Sequence, residues 1–248
     1  MLGVIGGSGL DRFEDLQITG RKAVDTPYGA PSAALTFGKL RGREIVFLPR
    51  HGDDHSVAPH RINYRANLWA LHAAGVRELI AVSAVGGIAA RMVSGLLVVP
   101  DQIIDYTHSR EATFFDGVAN PLRHIDFTKP FSVLLRRRLF AAGHAAGQKL
   151  LEGGTYGATQ GPRLETAAEI DRMERDGADI VGMTGMPEAV LARELGLEYA
   201  MLALVVNAAA GRGDSATEVS MAEIQAVAEA GMARVRGIIQ AMEGTRGS

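Results

Sequence analysis

The sequence predicts an α/β fold with a largely buried central sheet. Three observations carry that expectation. Short apolar runs alternate with helical periodicity along the whole chain. Proline and glycine fall where they punctuate helices: Pro187 suits a first turn, and Gly75, Gly177 and Gly196 suit positions just past helix ends. No low-complexity segment, clear repeat or long linker interrupts the pattern, and 248 residues could hold one large domain or two small ones.

Taken in order, strands are expected over Leu2–Ile5, Ala34–Phe37, Glu44–Leu48, Glu78–Val82, Leu96–Val99, Asp179–Val181 and Ala200–Val206. Helices are expected over Arg61–Ala74, Phe131–Ala146, Glu165–Asp176, Pro187–Leu195 and Val219–Met242. On the first helix Tyr64, Leu68, Trp69 and Leu71 read as core. The run Arg136-Arg137-Arg138 reads as a solvated helix face, with no basic or aromatic surround that suggests a nucleic-acid groove.

Composition narrows the function. Hydrophobic residues at 47% and charged residues at 22% are ordinary for a globular protein. A net charge of −2 gives no attraction for nucleic acid or an anionic membrane. Without cysteine the chain has no disulfide scaffold, no zinc–thiolate site and no cysteine nucleophile. No apolar run approaches the roughly 20 residues that cross a bilayer. Met1 runs straight into a strand-like segment with no basic-then-apolar leader, and a cytoplasmic location is expected.

Candidate chemistry sits at strand ends, where α/β proteins collect ligands. Gly6-Gly7-Ser8-Gly9 follows the first strand; it suits either an anion held by backbone N–H groups and the Ser8 hydroxyl, or a plain tight turn. A dinucleotide fingerprint fails there, because Arg12 stands where the third glycine belongs. Arg50-His51 follows the apolar run Ile45–Leu48, and an arginine at a strand end offers a forked, permanent charge to an oxyanion. Asp53, Asp54 and His55 tempt a metal reading, but Asp53 occupies the place of the second histidine of a metallohydrolase cluster, and no metal is expected. Glu165 heads a predicted helix, and Asn207 ends the longest apolar strand. One carboxylate and one amide suit a planar ring that donates and accepts hydrogen bonds. Taken singly each has a plain reading, as a helix-start carboxylate and a strand-end turn residue.

These segments together carry a resemblance. Ile-Gly-Gly-Ser-Gly-Leu at 5–10, Pro-Arg-His-Gly at 49–52, Asn-Tyr-Arg-Ala-Asn at 63–67, Ser-Ala-Val-Gly-Gly at 83–87, Gly-Pro-Arg-Leu-Glu-Thr at 161–166 and Gly-Met-Thr-Gly-Met-Pro-Glu at 182–188 resemble, in order, the trimeric purine nucleoside and methylthioadenosine phosphorylase family. The resemblance implies a single domain over residues 1–248, with a mixed sheet forming a distorted barrel flanked by helices. It implies phosphate at Ser8, Arg50, His51, Ser83 and Ala84, and the base at Glu165 and Asn207. It implies the sugar at Met183 and Thr184, with His124 reaching into the neighbouring subunit of a homotrimer. His124 alone reads as a surface histidine in a segment bounded by Pro121 and Pro130.

Inorganic phosphate is then a co-substrate and no metal or organic cofactor is expected. Arg50, His51 and Asn207 are the expected catalytic residues. Gly182, Gly185 and Met186 depart from the patterns usual in the family. Glu165 with Asn207 matches its inosine–guanosine branch, whereas Met221 falls where that branch has a 5′-hydroxyl-binding histidine. Met221 packs well against a thiomethyl group and poorly against a hydroxyl. The expected reaction is phosphorolysis of 5′-methylthioinosine. Inosine or guanosine, and methylthioadenosine, are the alternative substrates. Hydrolysis without phosphate and a non-catalytic nucleoside-binding module are the rival classes.

Overall fold

The computed structural model describes residues 1–7, 10, 13, 15–118 and 120–242. Its amino-terminal half runs β1 (Leu2–Gly6), β2 (Gln17–Lys22), β3 (Leu35–Leu40), β4 (Arg43–Pro49), α1 (Tyr64–Ala73), β5 (Glu78–Gly87), β6 (Leu97–Val99) and β7 (Gln102–Asp105). The second half runs α2 (Val133–Ala145), β8 (Leu150–Glu152), β9 (Thr155–Ala158), α3 (Ala167–Arg175), β10 (Ile180–Gly182), α4 (Gly185–Glu194), β11 (Glu198–Ala208) and α5 (Met221–Ala241).

The strands form one mixed, branched sheet. One path runs β2-β3-β4-β1-β5-β10-β9-β7, and β11, β6 and β8 branch from β5. The parallel core is β4, β1, β5 and β11. Side chains of β11 alternate between the two faces. Met201, Ala203 and Val205 enter one apolar cluster with Leu68 of α1 and Leu191 of α4. Leu202, Leu204 and Val206 enter the other with Leu139 of α2 and Val235 and Ile239 of α5. Burying each large aliphatic side chain contributes about 1.5–3 kcal/mol, so helices on both faces are what this strand pattern requires.

All seven expected strands and all five expected helices are present, with shifted ends. β5 runs on to Gly87 and β11 to Ala208, and both extensions matter to the site. β2, β7, β8 and β9 were not expected. β2 is exposed at every residue, and β7 and β9 are too short and polar to show an apolar run. Glu165 does not start a helix; Thr166 caps α3, so Glu165 belongs to the loop before it. The arginine run is only partly solvated, because Arg138 pairs with Glu78.

Among the described residues no helix is long and apolar enough to cross a membrane.

Candidate active site

A gap in the pairing of β5 positions the site. One edge of β5 pairs with β11 along its length. The other pairs with β1 only at Glu78–Ala81 and with β10 only at Gly86 and Gly87. Between them the edge has no strand partner among the described residues. A cavity of about 180 Å³ opens there. Its wall includes Gly7, Arg50, His51, Ser83, Ala84, Glu165, Met183, Thr184, Asn207 and Met221. The structure therefore gathers ten residues that lie as far apart in sequence as Gly7 and Met221. Ser8 lies outside the described residues. A Cβ on Gly7 would stand 2.6 Å from Val82 O and 2.9 Å from Arg50 Nη1, so glycine is needed where β1 ends.

Arg50 is wholly buried and committed to Glu188. Nε and Nη2 donate to the two carboxylate oxygens at 2.8 Å each, and Nη1 donates to Val82 O at 3.0 Å. Tyr199 Oη donates to the same carboxylate at 2.9 Å. Burial works against the charge on Arg50, but the Glu188 carboxylate and its hydrogen bonds outweigh burial and raise the guanidinium further above its ordinary range. Arg50 thus enters the wall as half of an internal ion pair. The fork that the sequence reading offered to an oxyanion is occupied by Glu188, which that reading did not single out.

His51 is also buried, with Nδ1 2.8 Å from Val57 O. A carbonyl only accepts, so Nδ1 carries the hydrogen and Nε2 is the other ring position. Ser83 Oγ lies 3.4 Å from Ala84 O and also hydrogen-bonds the Tyr156 hydroxyl. Thr184 Oγ1 is buried and has no hydrogen-bond partner among the described residues. An unsatisfied buried hydroxyl costs about 1–3 kcal/mol, which a ligand oxygen can recover.

The glycines around Thr184 answer to Tyr156. The Tyr156 hydroxyl is fully buried and accepts from the N–H groups of Thr184 at 3.2 Å and Gly185 at 3.4 Å. A Cβ on Gly182 would lie 2.3 Å from that hydroxyl, and one on Gly185 would lie 2.8 Å from the ring. Two of the three departures from the family pattern, Gly182 and Gly185, are thus one packing arrangement. Gly161 has φ +62°, and a Cβ there would meet Met183 Sδ at 2.5 Å, so the loop before α3 lies directly on Met183.

Arg110 ties these loops together. Its Nη1 donates to the carbonyls of Met183 at 2.9 Å and Met186 at 2.6 Å, and to Tyr64 Oη at 3.1 Å. Nη2 donates to the carbonyls of Thr159 and Gln160 at 3.1 and 2.7 Å. Nothing in the local sequence signals this role, because its partners, mostly backbone carbonyls, belong to remote segments.

Glu165 accepts from Thr159 Oγ1 at 2.6 Å. Asn207 follows a register shift in the β11–β5 pairing between Val205 and Asn207. That bulge aims the amide at the cavity. One N–H of Asn207 donates to Ala208 O at 2.6 Å, which leaves the second N–H and Oδ1. Met221 opens α5 and is 64% exposed while lining the cavity; Val219 and Ile224 stand beside it. Gln225 is exposed and bonds Glu229. His124 is exposed and is not part of this wall. Asp53, Asp54 and His55 are exposed, and no metal-binding group of three or more His, Asp or Glu occurs among the described residues.

A larger cavity of about 630 Å³ lies on the other side of Glu165. Of its charged lining, Arg163 pairs with Glu169, Arg172 pairs with the neighbouring Asp176, and Asp105 accepts from Thr107.

A family model described as the phosphorylase superfamily matches residues 1–242. A probable S-methyl-5′-thioinosine phosphorylase of Pseudomonas syringae pv. tomato is 52% identical over 236 residues, covering 95% of each chain. A 6-oxopurine nucleoside phosphorylase of Pyrococcus furiosus is 46% identical over 215 residues, 85% of this chain and 80% of that one. A solved methylthioadenosine phosphorylase of Schistosoma mansoni in complex with adenine superposes with a TM-score of 0.93 at 30% identity, over 99% of this chain and 92% of the other.

Proposed function

We propose, from the fact that the chain belongs to the phosphorylase superfamily, that it cleaves S-methyl-5′-thioinosine with phosphate. The products are hypoxanthine and 5-methylthioribose 1-phosphate. The observation that carries this reading is one cavity wall that joins Glu165 and Asn207 to the apolar group Val219, Met221 and Ile224. Such a wall suits a 6-oxopurine and an apolar 5′ substituent in one ligand.

In this reading the C1′–N9 bond breaks and its electron pair leaves with the base. A phosphate oxygen forms the new bond to C1′. The proton lost by the attacking hydrogen phosphate ends on N7 of the departing base; the N7–H then donates to Asn207 Oδ1, and the remaining Asn207 N–H donates to O6. The contact at O6 strengthens as negative charge gathers on the ring. Glu165 accepts from N1–H. A 6-aminopurine offers a bare N1 and a donor at C6, so it matches neither contact. Phosphate lies against Ser8, His51, Ser83, the Ala84 backbone and the Arg50 side chain, and the unpartnered Thr184 hydroxyl is suited to join it. Met183 underlies the ribose. No metal or organic cofactor takes part.

The working form in this reading is a cytoplasmic homotrimer in which His124 reaches a neighbour's sugar. The exposed His124 segment, with Leu122 at 68% and Val118 at 92% exposure, supports that part. A monomeric mass by light scattering at full activity would remove it. The reaction itself is tested by its products. Pentose 1-phosphate and free hypoxanthine should form in equal amounts only when phosphate is present. Equal base release in phosphate-free buffer would leave a hydrolase instead.

A further inference from the structure

Glu165 is held from one side only. Thr159 follows the last residue of β9, is buried, and is pinned through its backbone: its N–H donates to Gly182 O at 2.8 Å and its carbonyl accepts from Arg110. Its hydroxyl carries a single hydrogen. Glu165 Oε1 lies 2.6 Å from that hydroxyl and Gly182 O lies 3.3 Å from it, so the hydrogen goes to the closer, charged acceptor. Among the described residues Glu165 Oε2 has no hydrogen-bond partner. At the other end of the loop Thr166 and Glu169 close a capping box on α3, and Arg163 grips Glu169 with two bonds of 2.7 and 2.8 Å. The carboxylate thus hangs between two anchored points, and Thr159 decides which oxygen remains to accept.

We propose that Thr159 is a specificity-positioning residue: its hydroxyl fixes the Glu165 carboxylate so that Oε2 meets the base as an acceptor only. This rests on the 6-oxopurine reading of the same cavity and supplies the reason for its selectivity. A carboxylate anchored this way rewards a ring N–H and repels a bare ring nitrogen. Freed from Thr159, it can turn away, and the penalty on a 6-aminopurine falls.

The test compares Thr159→Val, Thr159→Ser and wild type. Binding of hypoxanthine and adenine is measured by calorimetry, and KM and kcat are measured on methylthioinosine and methylthioadenosine. Loss of a hydrogen bond to a charged group should narrow the 6-oxo over 6-amino preference about tenfold in Thr159→Val, through KM rather than kcat. Thr159→Ser should restore it, and the KM for phosphate should stay unchanged in both. The effect must also vanish in a Glu165→Gln background, since Thr159 acts through that carboxylate. An unchanged preference in Thr159→Val, or the same narrowing with Glu165 already replaced, overturns the proposal. Should Thr159→Val fail to fold, Thr159→Ala set against Thr159→Ser gives the same comparison. A wild type that binds adenine as tightly as hypoxanthine would instead overturn the 6-oxopurine reading, so the two failures are distinguishable.

Discussion

Arg50 and Glu188 face each other through two parallel hydrogen bonds of 2.8 Å, with both side chains fully buried. Removing either partner alone leaves an uncompensated charge in the core, which costs about 3–5 kcal/mol. Arg50→Ala should therefore lower stability by that amount in chemical denaturation, besides weakening phosphate binding. The double change Arg50→Met with Glu188→Met should recover most of the stability while activity stays lost. An Arg50→Ala enzyme of wild-type stability, impaired only in its KM for phosphate, would show that the pair has no structural role.

Thr184→Val separates two assignments of one hydroxyl. The group has no hydrogen-bond partner among the described residues, so stability should hold or rise slightly. If it serves phosphate, the KM for phosphate should rise about tenfold, the worth of one charge-assisted hydrogen bond. A rise confined to the nucleoside KM would return Thr184 to the sugar, where the sequence reading placed it.

Gly182→Ala should strain the floor of the site, because its methyl would stand 2.3 Å from the Tyr156 hydroxyl. Overpacking of this kind costs about 1–3 kcal/mol. Denaturation midpoints of Gly182→Ala and Gly20→Ala make the comparison, since a Cβ on Gly20 meets nothing within 4 Å. Equal midpoints would count against the packing argument.

Much of this was legible in the chain, and the exceptions have physical causes. Strands buried on both faces announce themselves as apolar runs, so β1, β4, β5 and β11 could be read directly. β7 and β9 could not: Gln102–Asp105 and Thr155–Ala158 are held by their neighbours rather than by their own patterns. Strand ends located Arg50 and Asn207, and a predicted helix start located Glu165, yet not what those residues do when no ligand is bound. That depended on what the fold sets against them: the remote Glu188 for Arg50, Thr159 six residues before Glu165, and a bulge for Asn207. Gly182 and Gly185 were visible as departures from a family pattern, but their cause, Tyr156, lay some thirty residues earlier.

The loop that carries Glu165 should loosen in acid. The two bonds from Arg163, then the Thr166 N–H, hold the Glu169 carboxyl down at about 2 from an ordinary 4.5. A depressed carboxyl contributes its full stabilisation above the unfolded-state value. That contribution is lost as pH falls from about 4.5 toward about 2. The Glu169 side chain is 41% exposed, so solvent screening keeps it to about 1 kcal/mol or less. Glu169→Gln should flatten that part of the stability curve between pH 5 and pH 2.5. Hydrogen exchange at the start of α3 would show whether the acid loss is local. An acid profile identical to wild type would mean the pair contributes nothing.

Catalytic efficiency tests most directly whether one cavity joins a 6-oxopurine site to an apolar 5′ site. In saturating phosphate, kcat/KM should be highest for methylthioinosine. It should fall about ten- to a hundredfold for inosine, whose 5′-hydroxyl finds no partner beside Met221. Methylthioadenosine should be lowest, because a site built on polar contacts can reject a mismatched base by roughly 10⁴-fold. Inosine turned over as efficiently as methylthioinosine would contradict the 5′ assignment, and methylthioadenosine at the same level would contradict the account as a whole.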